Sequence, residues 1–172
     1  LRLARRPTAW WARAARARTP PSDEDMRDLA NLCDDLAAHG KARSVTVAYH
    51  PHSRCTVQYE HETDHLLALT QHLMLCLDVS HVALAGEDPL AQLRKYRDRL
   101  GYVHLKDWGK GDFVELGQGD GTVPIDFGAC LRELDAQQFK GWVVVEQSTS
   151  EVSAKHSAQI NAAYLKNLGY AI

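Results

Sequence analysis

Four short, largely apolar runs, each ending in polar side chains able to bind a metal or move a proton, constrain this chain more than any other feature. They are Ser44–Tyr49, Leu73–Leu77, Gly101–Leu105 and Trp142–Val145. A strand with one wet face alternates apolar and polar residues. Strands that stay apolar along their length are buried on both faces, as in parallel sheets covered by helices.

The segments between these runs have helical periodicity. Ser22 followed by Asp23, Glu24 and Asp25 is an N-cap with acids in the first turn; Leu29, Leu32, Cys33 and Leu36 recur at helical spacing and Gly40 supplies a stop, which predicts a helix from about Ser22 to His39. Further helices are expected over Glu62–His72, from Asp88-Pro89 through Leu93, Tyr96 and Leu100, over Ile125–Phe139, and over Glu151–Leu168, with a glycine-rich loop after the third strand. The order is one helix and then four strand-helix units. That count fits half of an eight-stranded β/α barrel or a small open α/β sheet. The 172 residues fall short of the roughly 200 to 250 usual for a closed barrel.

Charge divides the chain. Arg2, Arg5, Arg6, Arg13, Arg16 and Arg18 occupy a stretch without a single acid before Asp23, so the net charge of −2 conceals a basic start and an acidic body. Residues 1–21 are read as a tail separate from a domain over 22–172. The tail is disordered or artefactual: Arg/Ala/Pro mixtures arise when GC-rich DNA is translated out of frame, and the same composition describes a natural floppy extension or an organellar transit segment. No apolar run approaches the roughly 18 to 20 residues of a membrane span, and the acidic body offers no track for nucleic acid. Cys33, Cys55, Cys76 and Cys130 form no CxxC pair, which fits a reducing, cytoplasmic setting.

The first strand delivers Tyr49-His50-Pro51-His52, the second Asp78-Val79-Ser80-His81, the third His104-Leu105-Lys106-Asp107 and the fourth Glu146-Gln147. Reacting groups in α/β folds gather at the carboxyl ends of strands. Imidazole and carboxylate donors from separate strands suit a divalent cation that keeps positions open for substrate; the donor types admit Mn²⁺, Co²⁺, Zn²⁺, Fe²⁺ or Mg²⁺. The loop around Gly117, Gly119 and Gly121 is read either as a plain turn or as a phosphate cradle.

Tyr49-His-Pro-His52 with Val57-Gln58, Leu75-Cys-Leu-Asp78-Val-Ser-His81 with Ala85-Gly-Glu-Asp-Pro89, Tyr102-Val-His-Leu-Lys-Asp107, Phe113-Val-Glu-Leu-Gly117-Gln-Gly119 and Gly141-Trp-Val-Val-Val-Glu-Gln147 form an ordered series. Over about residues 24 to 170 it resembles the carboxyl-terminal half of the sugar phosphate isomerase/epimerase superfamily, the xylose isomerase-like TIM barrels, and inosose dehydratases in particular. The resemblance implies an α/β fold of (β/α)8 TIM-barrel type with only about the last four strand-helix units present. It implies a metal, with Mn²⁺ or Co²⁺ favoured, held by Gln58, Asp78, His104 and Glu146, one residue from each strand unit; Glu60 is the rival to Gln58. His81 matches a substrate-contacting position of the epimerases. His52, Lys106 and Asp107 join it at the pocket as substrate contacts.

The implied chemistry removes a proton beside a substrate carbonyl, with Glu146 and a histidine, His50 or His81, as acid and base. Reprotonation on the other face gives epimerisation, on the other carbon isomerisation, and loss of a β-hydroxyl gives dehydration. The expected substrate is a sugar or keto-inositol. Because four strands leave two open edges, a homodimer that completes the barrel is the expected protein partner. Two other readings stand beside this one: a truncated, non-catalytic half-barrel that retains metal binding only, and the metal-dependent endonuclease branch of the same fold, which the acidic body disfavours.

Overall fold

A computed structural model describes residues 19–171. Most of the basic segment, residues 1–18, therefore lies outside the described residues. Helix α1 (Asp23–Lys41) opens with the expected cap. The Asp25 N–H donates to Ser22 Oγ at 3.1 Å, and the Ser22 N–H donates to Asp25 Oδ2 at 2.9 Å, so two otherwise orphaned donors are satisfied reciprocally. The helix runs through Gly40 instead of stopping there. A Cβ at Gly40 would lie 2.8 Å from the Val45 carbonyl oxygen, so the glycine is required where the chain folds back on the last turn.

The chain continues as β1 (Ala48–Tyr49), α2 (Glu60–Ala68), β2 (Met74–Asp78), α3 (Val79–Leu84), α4 (Pro89–Lys95), β3 (Leu100–Leu105), β4 (Asp107–Gly109), β5 (Asp112–Val114), α5 (Phe127–Ala136), β6 (Trp142–Val145) and α6 (Ala154–Asn167). Strands β1, β2, β3 and β6 form one parallel sheet in that order. This is the arrangement of strand-helix units that the apolar runs predicted.

Differences from expectation are local. Strand β1 pairs over Ala48–Tyr49 only, with the Met74 N–H reaching back to the Val47 carbonyl at 3.0 Å. Helix α4 ends at Lys95, because Leu100 is already the first residue of β3. Helix α3 follows β2 without a loop, since Asp78 is both the last strand residue and the helix cap. The expected glycine-rich loop contains an antiparallel hairpin, β4 with β5.

The core lies between sheet and helices, where Leu75, Leu77, Leu93, Val103, Leu105 and Phe127 are buried; each such side chain contributes roughly 1.5–3 kcal/mol. A second cluster seats α1 on α2 through Met26, Ala30, Leu66 and Leu73. Burial is uneven across the sheet. In β2 every residue from Leu75 to Asp78 is buried, whereas in β6 Trp142 is 74% exposed and Val143 37%. Among the described residues no helix is long and apolar enough to cross a membrane.

Candidate metal centre

Each strand of the parallel sheet contributes one donor at its carboxyl end. His50 follows the last residue of β1, Asp78 ends β2, His104 pairs with Asp78 in the β2–β3 register, and Glu146 follows β6. One donor atom from each lies within 4.8 Å of all the others. His50 Nε2 is 3.9 Å from Asp78 Oδ2 and 3.8 Å from Glu146 Oε2; His104 Nδ1 is 3.9 Å from Asp78 Oδ2 and 2.8 Å from Glu146 Oε2. First-row ions hold such donors at about 2.0–2.2 Å, so two donors sharing an ion stand up to roughly 4 Å apart.

The local folding prepares these atoms. Asp78 divides its oxygens: Oδ1 accepts from the Ser80 and His81 N–H groups at 2.7 and 3.1 Å, capping α3. Among the described residues Oδ2 is buried without a hydrogen-bond partner, as is His81 Nε2, while His104 Nδ1 has only the Glu146 carboxylate beside it. Buried polar atoms are ordinarily paired, so two such orphans close together mark a site built for something else. His50 is oriented by its other nitrogen. Its Nδ1 donates to the Pro51 carbonyl oxygen at 2.9 Å, because a carbonyl only accepts, and Nε2 is the nitrogen that faces the carboxylates. Ligating histidines are commonly fixed in this way.

The electrostatics agree. Burial pushes the Asp78 carboxyl above the ordinary aspartate range, against the opposing pull of the His81 N–H, His50 and Lys106, which is the mark of a buried anion short of positive charge. For Glu146 burial also raises, but the Lys106 hydrogen bond and charge outweigh it and hold the carboxyl below the usual glutamate range. Burial and then His50 lower the His104 imidazole, Asp78 and Glu146 opposing. In the forms that bind a metal, two imidazoles and two carboxylates carry a formal charge of about −2, the complement of a divalent cation. The residues present fit such an ion.

The remaining predicted residues surround this group. His81 is 3% exposed, and burial, with His52 and His50 next, drives its imidazole down to about 2, so it is neutral. Its Nδ1 lies 3.2 Å from Ser53 Oγ and its ring centroid 3.7 Å from that of exposed His52. Lys106, 2% exposed, has its Nζ 2.7 Å from Glu146 Oε1. Asp107 is turned away from any ligand role: its Oδ1 accepts from Trp108 N–H, and its Oδ2 from Gly117 and Gly119 N–H at 2.9 and 3.2 Å. These glycine amides serve a carboxylate of the chain itself, which is the plain-turn reading of the loop. Gln58 is buried in the loop before α2, where its Oε1 accepts the Arg54 N–H at 2.8 Å. Glu60 pairs with Lys95 at 2.7 Å. His50, read from the sequence as a base, is the residue of the first strand that joins the donor group; its position directly after the strand, matching Asp78 and Glu146, was the available signal.

The family model for the xylose isomerase-like TIM barrel matches residues 7–168, reaching into the basic segment. The chain belongs to the xylose isomerase-like TIM barrel family. An inosose dehydratase of Clostridium tetani is 33% identical over 143 residues, covering 73% of this chain and 48% of that protein. One of Lactiplantibacillus plantarum is 31% identical over 167 residues, 84% of this chain and 53% of that protein. The chain thus spans about half the length of the relatives it matches. Among solved structures, the apo 3-keto-D-glucoside 4-epimerase of E. coli superposes with a TM-score of 0.71 at 19% identity, over 87% of this chain and 57% of that one. The IOLI protein, solved with a bound zinc atom, gives 0.69 at 20% identity, over 88% and 59%. These two likenesses concern the fold.

Proposed function

We propose that this chain carries the metal-binding half of a divalent-metal-dependent enzyme acting on a sugar or keto-inositol, with inosose dehydratase-like loss of water as the reaction and Mn²⁺ or Co²⁺ as the favoured ion. The observation that carries the reading is the convergence of His50, Asp78, His104 and Glu146, with Asp78 Oδ2 buried and unpartnered among the described residues. The inosose dehydratase relatives support the choice of reaction. A bound cation supplies Lewis-acid polarisation of a carbonyl, which acidifies the neighbouring C–H.

The chain's own residues then have distinct tasks. Glu146, held ionised by Lys106, takes the proton on Oε1, whose second lone pair the Lys106 hydrogen bond leaves free. His81, neutral and with Nε2 free of protein partners, holds a substrate hydroxyl. His52, its ring tilted against that of His81, lines the approach from solvent. With Nε2 of His50 facing the carboxylates, His50 belongs with the donors and not with the bases. The setting is cytoplasmic and the substrate is a small molecule, not a nucleic acid.

A second reading is favoured by the open edges of the sheet, where Trp142 is 74% exposed: metal binding without turnover, unless a second half-barrel covers them. Two copies pairing β1 of one with β6 of the other restore eight strands. A strictly monomeric chain in sedimentation excludes that homodimer. The test of the main reading is Mn²⁺ titration of the chain beside an Asp78→Ala, His104→Ala double variant, followed by a screen of keto-inositols and ketoses for water loss by mass. Stoichiometric binding lost in the variant is expected; a folded chain that binds no Mn²⁺ overturns the reading.

A further inference from the structure

Lys106 is the largest fully buried side chain among the described residues and lies within the sheet's polar edge. A lysine is almost never buried to 2% exposure unless its charge is paired. Here the pairing is one-sided. Nζ reaches a single partner, Glu146 Oε1 at 2.7 Å, and lies 4.0 Å from the centroid of the Phe113 ring. Phe113 comes from β5, and Trp108 of β4 packs against it edge-on with ring centroids 5.0 Å apart. The Lys106 carbonyl is fixed as well, accepting the Ser80 hydroxyl at the start of α3. The ammonium has little freedom to leave its partner.

The consequence falls on Glu146. With Oε1 committed to Lys106, only Oε2 faces His50 and His104. A free carboxylate beside a cation takes it with one oxygen or two. Resting on the metal reading above, we propose that Lys106 is a positioning residue that holds Glu146 to one-oxygen donation, keeping a coordination position open for substrate. Its charge has a second effect. Against donors of formal charge about −2, a divalent ion leaves no surplus, and the lysine adds one positive charge next to the place where a deprotonated substrate gains a negative one. The lysine thus weakens ion binding by like-charge repulsion while favouring the charge that develops on the substrate.

Co²⁺ is the probe, because its visible absorption intensifies at low coordination number and fades as donors are added. The chain, Lys106→Met and Lys106→Arg are titrated with Co²⁺, folding being checked by circular dichroism. The expected result is an intense spectrum for the chain and for Lys106→Arg, which keeps the charge. In Lys106→Met the expected result is a weaker spectrum with binding tighter by roughly tenfold, as the second oxygen joins and the repulsion is gone. A Lys106→Met spectrum that matches the parent, at equal or weaker affinity, overturns the proposal and leaves the lysine a packing role. A folded parent that takes up no Co²⁺ overturns the metal reading itself, a separately recognisable outcome.

Discussion

The two carboxylates of the site stand in opposite surroundings. The Asp78 side chain, at the end of an interior strand, is 0% exposed and shifted upward by burial; the Glu146 side chain, at the end of an edge strand, is 36% exposed and shifted downward by Lys106. The difference follows the sheet. Among the described residues, strands β2 and β3 have neighbours on both sides, and β1 and β6 have one each. Interior strand β2 supplies a desolvated carboxylate, and the edge strands supply side chains oriented by a hydrogen-bond partner: the Lys106 ammonium for Glu146 and the Pro51 carbonyl for His50.

The largest effect that separates centre from edge is one of stability. Leu105→Ala, in a 0%-exposed position of β3, is expected to cost about 2–5 kcal/mol in urea unfolding. Trp142→Ser on β6 is expected to stay within about 0.5 kcal/mol. A Trp142 loss as large as that at Leu105 breaks the comparison and shows the edge to be covered in solution. Next come the carboxylates themselves, measured with chelator present. Glu146→Gln strands the buried Lys106 charge; the partial exposure of the pair reduces the usual loss to roughly 1–3 kcal/mol. Asp78→Asn removes a buried, uncompensated anion and keeps an acceptor for the α3 cap, so stability is expected to hold or rise while Mn²⁺ binding is lost. A destabilised Asp78→Asn contradicts the view of Asp78 as a donor held in strain for an ion. Asp107→Ala, which abandons three N–H groups of the glycine-rich loop, is expected to cost about 1–3 kcal/mol.

The same division decides what was readable in the sequence. Continuous apolar runs announce interior strands, so β2 and β3 were legible nearly to the residue. Asp78 and His104 stood out as candidates with them, because a polar residue at or just before the end of such a run has few other reasons to be there. The edge was less legible. The run Ser44–Tyr49 looks like a full strand, yet only Ala48–Tyr49 pairs, since pairing is decided by the neighbour and not by β-propensity. His50, read from the sequence as a base, stands with Asp78, His104 and Glu146 because of where that strand stops. The β4–β5 hairpin was hidden because Asp107-Trp-Gly109 and Asp112-Phe-Val114 are too short for a periodic signal. With it went the burial of Lys106 under Phe113, a long-range contact that no local pattern encodes. The cap at Ser22 and the Asp88-Pro89 start were legible because they are local hydrogen-bond chemistry.

The smallest predicted effect compares the two ends of β2. At the far end from the site, Asp34 of α1 receives three backbone N–H groups on Oδ1, from Gln71 at 3.0 Å, His72 at 2.6 Å and Leu73 at 3.0 Å, fixing the turn that feeds the strand. Burial raises the Asp34 carboxyl, but these N–H groups, with His72 nearby, more than reverse it and hold it below the ordinary value of 3.8. A carboxylate whose folded value lies below its unfolded one stabilises fully above the unfolded value and loses that contribution as pH falls through the folded one. Asp34→Asn retains an oxygen for the three donors and removes only the charge. The parent is therefore expected to exceed the variant by less than about 1 kcal/mol at pH 7, solvent screening limiting the gain. Below the folded value the two unfolding midpoints are expected to converge. A gap that stays constant from pH 7 to pH 2 shows that the charge of Asp34 does nothing for the turn. The contrast between a lowered aspartate beside one end of β2 and a raised one at the other then loses its electrostatic basis, and of the two only Asp78 has an ionisation that the fold has to bear.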